Sequence, residues 1–408
     1  MSAAPVATVA RLWQRHVDAL RAVELVRAQR NALAKRKPAD GEFERVRSDA
    51  AQLKAQLATL EADAARVYDE MLAAALLLPN EAHPDAPRGD ELQSRTVRHG
   101  GPPVRAADDA ALARSHIDIG QAQGWFDFEA GAAVSGSKFV YLRRDAALLE
   151  LALVQWALGE LTARGFEPIL PPDVVSTQAL AACGFQPRGD ASQVYALDSH
   201  DMCLVGTAEI PLTAEHIGRI YEPGQLPIRS AGFGHCFRAE AGSLGATSRG
   251  MYRLHQFSKV EMVVLSEPQH SNRVLDELVA VQEALVSQLE LPYRIRDMAT
   301  GDLGASAHRK FDLEAWMPSR ADWGELCSAS NCTDYQARRL NIRFRRGAES
   351  PHPFVHTLNA TALAVPRVIL AIVETHQRAD GTVRLPPPLR RFFGDRESIG
   401  KPVFTRAT

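Results

Sequence analysis

From Phe43 the apolar residues Val46, Ala50, Leu53, Leu57, Leu60, Ala64, Val67 and Met71 follow one another in alternating steps of three and four. A strand cannot gather such positions on one face, because its side chains alternate with a period of two; a helix can, and so narrow a stripe calls for a partner helix. A looser stripe, Leu12, Trp13, Val17, Leu20 and Val23, precedes it. Between the two lies Lys37-Pro38-Ala39-Asp40-Gly41, where proline and glycine stop one helix and Asp40 can cap the next. The pattern predicts an antiparallel helical hairpin, a coiled coil whose arms reach roughly 40–50 Å at ~1.5 Å per residue.

Charge on this hairpin is lopsided. Up to Lys37 the first helix carries Arg11, Arg15, Arg21, Arg27, Arg30, Lys35, Arg36 and Lys37 against Asp18 and Glu24. Such a face suits either the solvated side of a structural or dimerising hairpin or a basic arm that follows a phosphate backbone. The arm alone leaves both readings open. Its arginine-rich, acid-poor start also fits a transit-type segment as well as the beginning of a folded helix.

Over all 408 residues the composition is that of an ordinary globular protein, with 46% apolar and 24% charged residues and a formal charge of −2. Collagen-like, disulfide-scaffold and wholly disordered chains are excluded, as is a uniformly basic nucleic-acid coat. Cys183, Cys203, Cys236, Cys327 and Cys332 are odd in number and form no C-x-x-C, so no disulfide framework or zinc ribbon is indicated. The longest apolar stretches, Ala146–Leu158 and Ala360–Val373, are broken by Glu150, Gln155 or Arg367 and fall short of the roughly 20 residues of a membrane span.

Proline and glycine crowd Pro79–Pro103, which reads as an irregular linker. The chain therefore divides into an arm (1–78), a linker (79–108) and a main domain (109–408). In that domain Asp145–Arg164, Gln269–Leu289, Asp334–Leu340 and Ala364–Gln377 read as helices. Met202–Val205, Gly232–Ala239, Tyr252–Leu265, Tyr293–Arg296, Lys310–Met317 and Gly324–Ser328 read as strands, and Phe166–Pro172 as an edge strand entering a turn. Strands in runs with few single-helix crossovers indicate an α+β domain on a mainly antiparallel sheet.

Chemistry concentrates between Phe237 and Glu261. Phe237-Arg238-Ala239-Glu240 is followed by a small-residue loop, Ala241–Gly250, and then by Met251 through Glu261. The loop is longer than a tight turn and suits a ligand-covering element. Arg238 offers a planar fork for phosphate or carboxylate, Phe257 a flat face for a base, and Glu240 and Glu261 acceptors for amino groups. An Arg–Glu pair on adjacent strands is more often structural, so these residue types alone assign no site.

The same run resembles motif 2 of class II aminoacyl-tRNA synthetases in the form used by seryl-tRNA synthetases. Four further segments agree in family order. Arg164-Gly165-Phe166 through Pro172 is similar to motif 1, the dimer-forming segment. Gly206-Thr207-Ala208-Glu209-Ile210-Pro211-Leu212 resembles the serine-binding loop. Glu325-Leu326-Cys327-Ser328 through Arg339 resembles the metal- and ATP-binding strand and its following helix, and Asn359 through Arg367 resembles motif 3. With the hairpin, the likeness covers nearly the whole chain.

The resemblance implies a class II catalytic domain that uses ATP to activate serine as seryl-adenylate and then transfers it to serine tRNA. Arg238 would bridge the serine carboxylate and the α-phosphate, and Arg367 would hold the γ-phosphate side and help sandwich adenine against Phe257. Ala239, Glu240, Leu254, Leu326 and Cys327 complete the implied ATP set with Glu325 and Ser328, which would hold Mg²⁺. Thr207, Ala208, Glu209, Arg238, Glu261 and Thr361 are the implied serine contacts, and Arg238, Glu325 and Arg367 the catalytic ones. Two carboxylates near one ammonium should repel each other in an empty pocket. No zinc and no membrane partner are implied; a homodimer is, with the basic hairpin reaching for serine tRNA.

Some positions depart from the bacterial pattern. Motif 3 here has alanine, threonine, alanine and proline at Ala360, Thr361, Ala362 and Pro366, a variant similar to the mitochondrial branch, so a mitochondrial matrix location is expected, with cytoplasm as the alternative. Cys327 replaces a usual serine. His352 and His356 lack a third ligand at metal spacing, and His255 is expected to brace the sheet. Two rival functions remain: a catalytically lapsed paralogue acting as an interaction protein, and a ligase that charges a carrier protein, which would not need the basic hairpin.

Overall fold

The computed structural model describes residues 3–36, 41–104, 114–185, 193–198, 200–240, 250–347 and 350–404. The breaker at 37–40 and the loop at 241–249 lie outside the described residues. The chain forms two compact units, Met1–Pro79 and Asn80–Thr408.

The first unit is a pair of long helices, α1 (Ala3–Lys35) and α2 (Phe43–Leu76). They run antiparallel: Arg27 bonds to Glu61 at 2.9 Å, and His16 Nδ1 donates to the Ala64 carbonyl at 3.1 Å. The heptad stripe of α2 faces its partner, with Leu57, Ala64, Val67 and Met71 buried, whereas Phe43 at its end is exposed. On α1 the buried line is Leu12, Val23 and Val26, with Ala19 packed against it; Trp13 and Leu20, expected in the stripe, are 53% and 45% exposed. The reason is geometric. Neighbours in sequence lie about 100° apart on a helix, so Leu12 and Trp13 cannot share a narrow seam.

Among the described residues of the second unit, the central sheet has eight strands. In chain order they are β1 (Arg95–Gly100), β2 (Glu167–Ile169), β3 (Ile228–Phe237), β4 (Gln256–Ser266), β5 (Tyr293–Asp297), β6 (Arg309–Met317), β7 (Asp322–Thr333) and β8 (His356–Ala364). Their spatial order is β1-β5-β6-β7-β8-β4-β3-β2, and every pairing is antiparallel except the edge pair of β2 with β3. This is the α+β architecture expected from the pattern. β4 lies in the middle because Val260-Glu261-Met262-Val263-Val264-Leu265 is buried on both faces, and β-branched residues favour that setting.

Four helices frame the sheet and position its polar residues: α3 (His116–Gln123), α4 (Asp145–Thr162), α5 (Ser271–Gln288) and α6 (Val365–Thr375). α4 buries Leu149, Leu153, Trp156 and Leu161 in a core shared with α5, α6 and the sheet, while Leu148 and Leu151 point outward. Gln282 of α5 ties that helix to the sheet by donating from Nε2 to the carbonyls of Ser328 and Thr361, each at 2.8 Å. All five cysteines are buried thiols. Among the described residues, no helix is long and apolar enough to cross a membrane.

The structure departs from the sequence expectations in several places, among them the central strand β8, which the strand pattern did not mark, and the start of β3 at Ile228 rather than Gly232. The proline- and glycine-rich stretch contributes β1, whose partner strand β5 supplies the hydrogen bonds that its own sequence does not advertise. Tyr252 lies in a short 3-10 turn, Gly250–Tyr252, and β4 starts only at Gln256. β7 runs on to Thr333, well past Ser328.

Candidate active site

The ends of β3 and β4, the middles of β7 and β8 and the first turn of α6 converge on a cavity of about 210 Å³. Alternation along β4 sends Phe257, Lys259 and Glu261 into it. β7 adds Glu325, Leu326, Ser328 and Ser330; β8 adds Asn359 and Thr361. Arg238 and Glu240 follow β3, and Pro366 and Arg367 open α6, where proline in the first turn forfeits no helical hydrogen bond.

At one end are the residues matched to the serine contacts. Glu209 is buried and its Oε1 accepts from Gln336 Nε2 at 2.6 Å and from Asn359 Nδ2 at 2.9 Å. Burial, together with repulsion from Glu261, pushes its carboxyl up to about 7. Glu261 is ion-paired with Lys259, and its Oε2 accepts from Thr361 Oγ1 at 3.2 Å. Lys259 Nζ also donates to Thr207 Oγ1 at 2.8 Å and reaches Thr361 Oγ1 at 3.5 Å. The pocket thus carries its own cation. The repulsion expected between two bare carboxylates is relieved at Glu261 and persists in the raised Glu209.

The other end is built around guanidinium groups. Arg367 pairs with Glu325 at 3.2 Å and donates to the carbonyls of Glu325 at 3.0 Å and Tyr252 at 3.2 Å, with its guanidinium carbon 4.6 Å from the centre of the Tyr252 ring. Enclosure opposes charge on Glu325, yet Arg367 and Lys310 outweigh it and hold the carboxyl below its ordinary range. Arg238 lies 5.3 Å from the Phe257 ring centre and donates from Nε to the Gly206 carbonyl at 3.3 Å. The cation over Phe257 is therefore Arg238, whereas Arg367 stacks on Tyr252. Glu240, at φ +49°, accepts from Arg253 Nη1 at 2.9 Å.

Thr207, Glu209, Arg238, Glu240, Leu254, Phe257, Glu261, Glu325, Leu326, Ser328, Thr361 and Arg367 all line the one cavity. Ala208, Ala239 and Cys327 are not part of its lining. Ala208 is buried in a neighbouring apolar cluster, and Ala239 donates its N–H to the Gln193 carbonyl at 2.9 Å. Cys327 points into the core, with Sγ 3.4 Å from the Ala362 carbonyl, because strand alternation puts it on the face opposite Ser328. Lys259 and Asn359 were missed from sequence, although the period-two spacing Phe257, Lys259, Glu261 carried the signal. His255 does brace: Nδ1 lies 2.9 Å from the Arg238 carbonyl and 2.7 Å from Tyr195 Oη.

Glu325 and Ser328 offer a carboxylate and a hydroxyl on the same strand, both hard oxygen donors, and among the described residues no thiol or imidazole lines the cavity. Nor, among those residues, do three His, Cys, Asp or Glu side chains group to hold a metal unaided. That donor set fits a Mg²⁺ that takes most of its ligands from phosphates and water.

Residues 194–376 match the tRNA synthetase class II core domain (G, H, P, S and T). The chain is 43% identical to the serine–tRNA ligase of Rhodopirellula baltica, over 95% of this chain and 92% of that protein. It is likewise 43% identical to the serine–tRNA ligase of Rubrobacter xylanophilus, over 97% and 93%. Among solved structures it is similar to the seryl-tRNA synthetase of Pyrococcus horikoshii complexed with ATP, with a TM-score of 0.90 and 34% identity, covering 97% of this chain and 93% of that one. The cytoplasmic serine–tRNA ligase of Naegleria fowleri in complex with AMP gives 0.87 and 29%, covering 97% and 92%.

With the Glu209 carboxyl pushed up to about 7, any ammonium held at that end would bind in a pH-dependent way. The charged form attracts, so affinity for L-serine should fall about tenfold as pH drops from 8 to 6. Glu209→Gln should bind weakly throughout and lose that step. Calorimetric titration with serine across this range checks it; an unchanged slope in the variant would place the titrating group elsewhere.

Proposed function

The chain belongs to the seryl-tRNA synthetases, and on that premise we propose that the cavity between Arg238 and Arg367 is where serine meets ATP. The activity is ATP-dependent activation of serine to seryl-adenylate followed by transfer to tRNA. In the first step a serine carboxylate oxygen bonds to the α-phosphorus, and the bond from that phosphorus to the bridging oxygen breaks, releasing pyrophosphate. In the second, a terminal ribose hydroxyl of tRNA attacks the carbonyl carbon and AMP leaves.

The observation that carries this reading is the convergence of two guanidinium groups, an aromatic ring and two buried carboxylates on one cavity. The carboxylate nucleophile is already ionised, so no general base is required; positioning and neutralisation of charge do the work. Arg238, over the Phe257 ring and bonded to the Gly206 carbonyl next to Thr207, is suited to hold both anions as they approach. Arg367 is suited to the outer phosphates. Bound with ATP, Mg²⁺ at Glu325 and Ser328 would neutralise phosphate charge. At the other end Glu209, Glu261, Thr207 and Thr361 supply a hydrogen-bonding site for an ammonium and a hydroxyl, which discriminates better than an apolar slot. A lapsed paralogue has no chemical need for this assembled set.

ATP–pyrophosphate exchange should occur with serine and with none of the other amino acids. Arg238→Ala should reduce it at least a hundredfold, by analogy with removal of one oriented transition-state donor; near-normal exchange would overturn the role given to Arg238.

The hairpin is proposed as the tRNA-binding arm. Its support is the basic α1 and a fold that closes on its own apolar seam. Deleting residues 12–71 should therefore spare exchange while abolishing charging of serine tRNA. A folded deletion variant that loses exchange as well would contradict that separation.

A homodimer is proposed through an apolar face of the second unit. Val134, Leu148, Leu151 and Leu170 are at least half exposed, and Tyr141 and Leu151 border a groove that shares Met251, Leu254, Phe257 and Pro366 with the active cavity. A second copy covering that groove would support the cavity from behind. Leu151→Asp should shift sedimentation toward monomer and lower exchange; a fully active monomer would count against it. The mitochondrial matrix reading rests on the arginine-rich start and the motif 3 variant alone, and organelle fractionation decides between it and the cytoplasm.

A further inference from the structure

We infer that His116 and Glu374 are positioning residues for the ATP end of the cavity, acting through Met251, Tyr252 and Arg367 without touching the nucleotide. The inference rests on the assignment of the cavity as the place where serine meets ATP.

His116 opens α3 and is buried, as is Glu374 near the end of α6. Glu374 Oε1 accepts from the His116 backbone N–H at 3.0 Å and from its ring Nδ1 at 2.8 Å. With the proton on Nδ1, Nε2 is a bare acceptor, and it receives the Met251 N–H at 3.1 Å. The neighbouring Gly250 sits at φ +63°, and a Cβ there would fall 2.2 Å from His116 Nε2 and 2.8 Å from Ile117 Cγ1. The backbone thus approaches the imidazole so closely that no side chain fits. This contact fixes the turn Gly250–Tyr252, from which Arg253 and Leu254 continue into the cavity lining.

The same carboxylate reaches a second element. Glu374 Oε2 accepts from the Ser319 N–H at 3.0 Å and Oε1 from Ser319 Oγ at 2.8 Å, pinning the turn that carries Arg320. Arg320 stacks on the Tyr252 ring at 4.6 Å, the distance at which Arg367 also stacks on it. Arg367 itself lies seven residues before Glu374 on α6, two turns along the same face. One buried carboxylate therefore fixes, directly or through His116, the three pieces that meet at Tyr252: the turn that bears it, the Arg320 turn and the helix that bears Arg367.

An apolar side chain at 116 would fill the space but leave the Met251 N–H buried without an acceptor. The expected result is specific to one substrate. In ATP–pyrophosphate exchange, His116→Phe should raise the KM for ATP about tenfold while the KM for serine stays within about twofold, the size of one lost positioning hydrogen bond. His116→Gln, whose amide oxygen can accept the same N–H, should recover most of the ATP affinity. Should His116→Phe fail to fold, Glu374→Gln carries the test, since it puts an amide donor against either Ser319 or His116 and should raise the ATP KM severalfold. An active wild type whose variants keep the ATP KM, or raise both KM values together, overturns the inference. A wild type with no serine-dependent exchange would instead sink the reading of the cavity.

Discussion

The ion pair between Arg367 and Glu325 is the contact around which the cavity is arranged. A guanidinium withdrawn from water is costly unless its charge and its donors are met, and here a carboxylate, two backbone carbonyls and an aromatic face meet them. The pairing also sets the level of Glu325, whose carboxyl stays ionised despite its enclosure. One contact therefore holds both a guanidinium suited to an anion and a carboxylate suited to a hard cation. Each is charged and oriented before a substrate arrives, so little reorganisation is left for the reaction itself.

That arrangement depends on the sheet. β7, β4 and β8 are central strands, and their register is fixed because a slip of one residue would turn Glu325, Glu261 and Thr361 into the core and Cys327, Met262 and Ala362 into the cavity. A bulge on β7, opposite Leu313 and Glu314 of β6, matters in the same way: Leu326 is its extra residue, which puts both Glu325 and Leu326 in the lining instead of one of them.

Much of this could be read in the amino-acid sequence. The seam of α2 is a strict spacing, and spacing survives folding, so Leu57, Ala64, Val67 and Met71 are buried as the pattern predicts. β4 carries an apolar run and β6 an alternation (Phe311, Leu313, Ala315, Met317), each of strand length, and both are legible to within a few residues. What was not legible depends on partners distant in sequence. β1 exists because β5 is beside it, and no local signal in Arg95–Gly100 announces that. Cys327 was carried into the ATP set with its neighbours, but alternation turns its thiol into the core. The link from His116 to Met251 spans 135 residues, and composition or periodicity could not have revealed it.

On the proposal that serine occupies the Glu209 end, Lys259 bears on how the cavity would select a small polar substrate. Its ammonium occupies the ground between Glu261, Thr207 and Thr361, satisfying in the free protein the same kinds of acceptor that a serine ammonium and hydroxyl would satisfy. An amino acid entering here must offer hydrogen bonds at least as good as those it displaces. An alanine side chain offers none where serine offers a hydroxyl, and it would leave buried polar groups without partners, a far larger penalty than the loss of one apolar contact. A larger apolar side chain faces the same deficit and has less room. On that proposal, selectivity at this end would follow from buried polar groups whose pairing a ligand must replace, more than from the shape of the cavity.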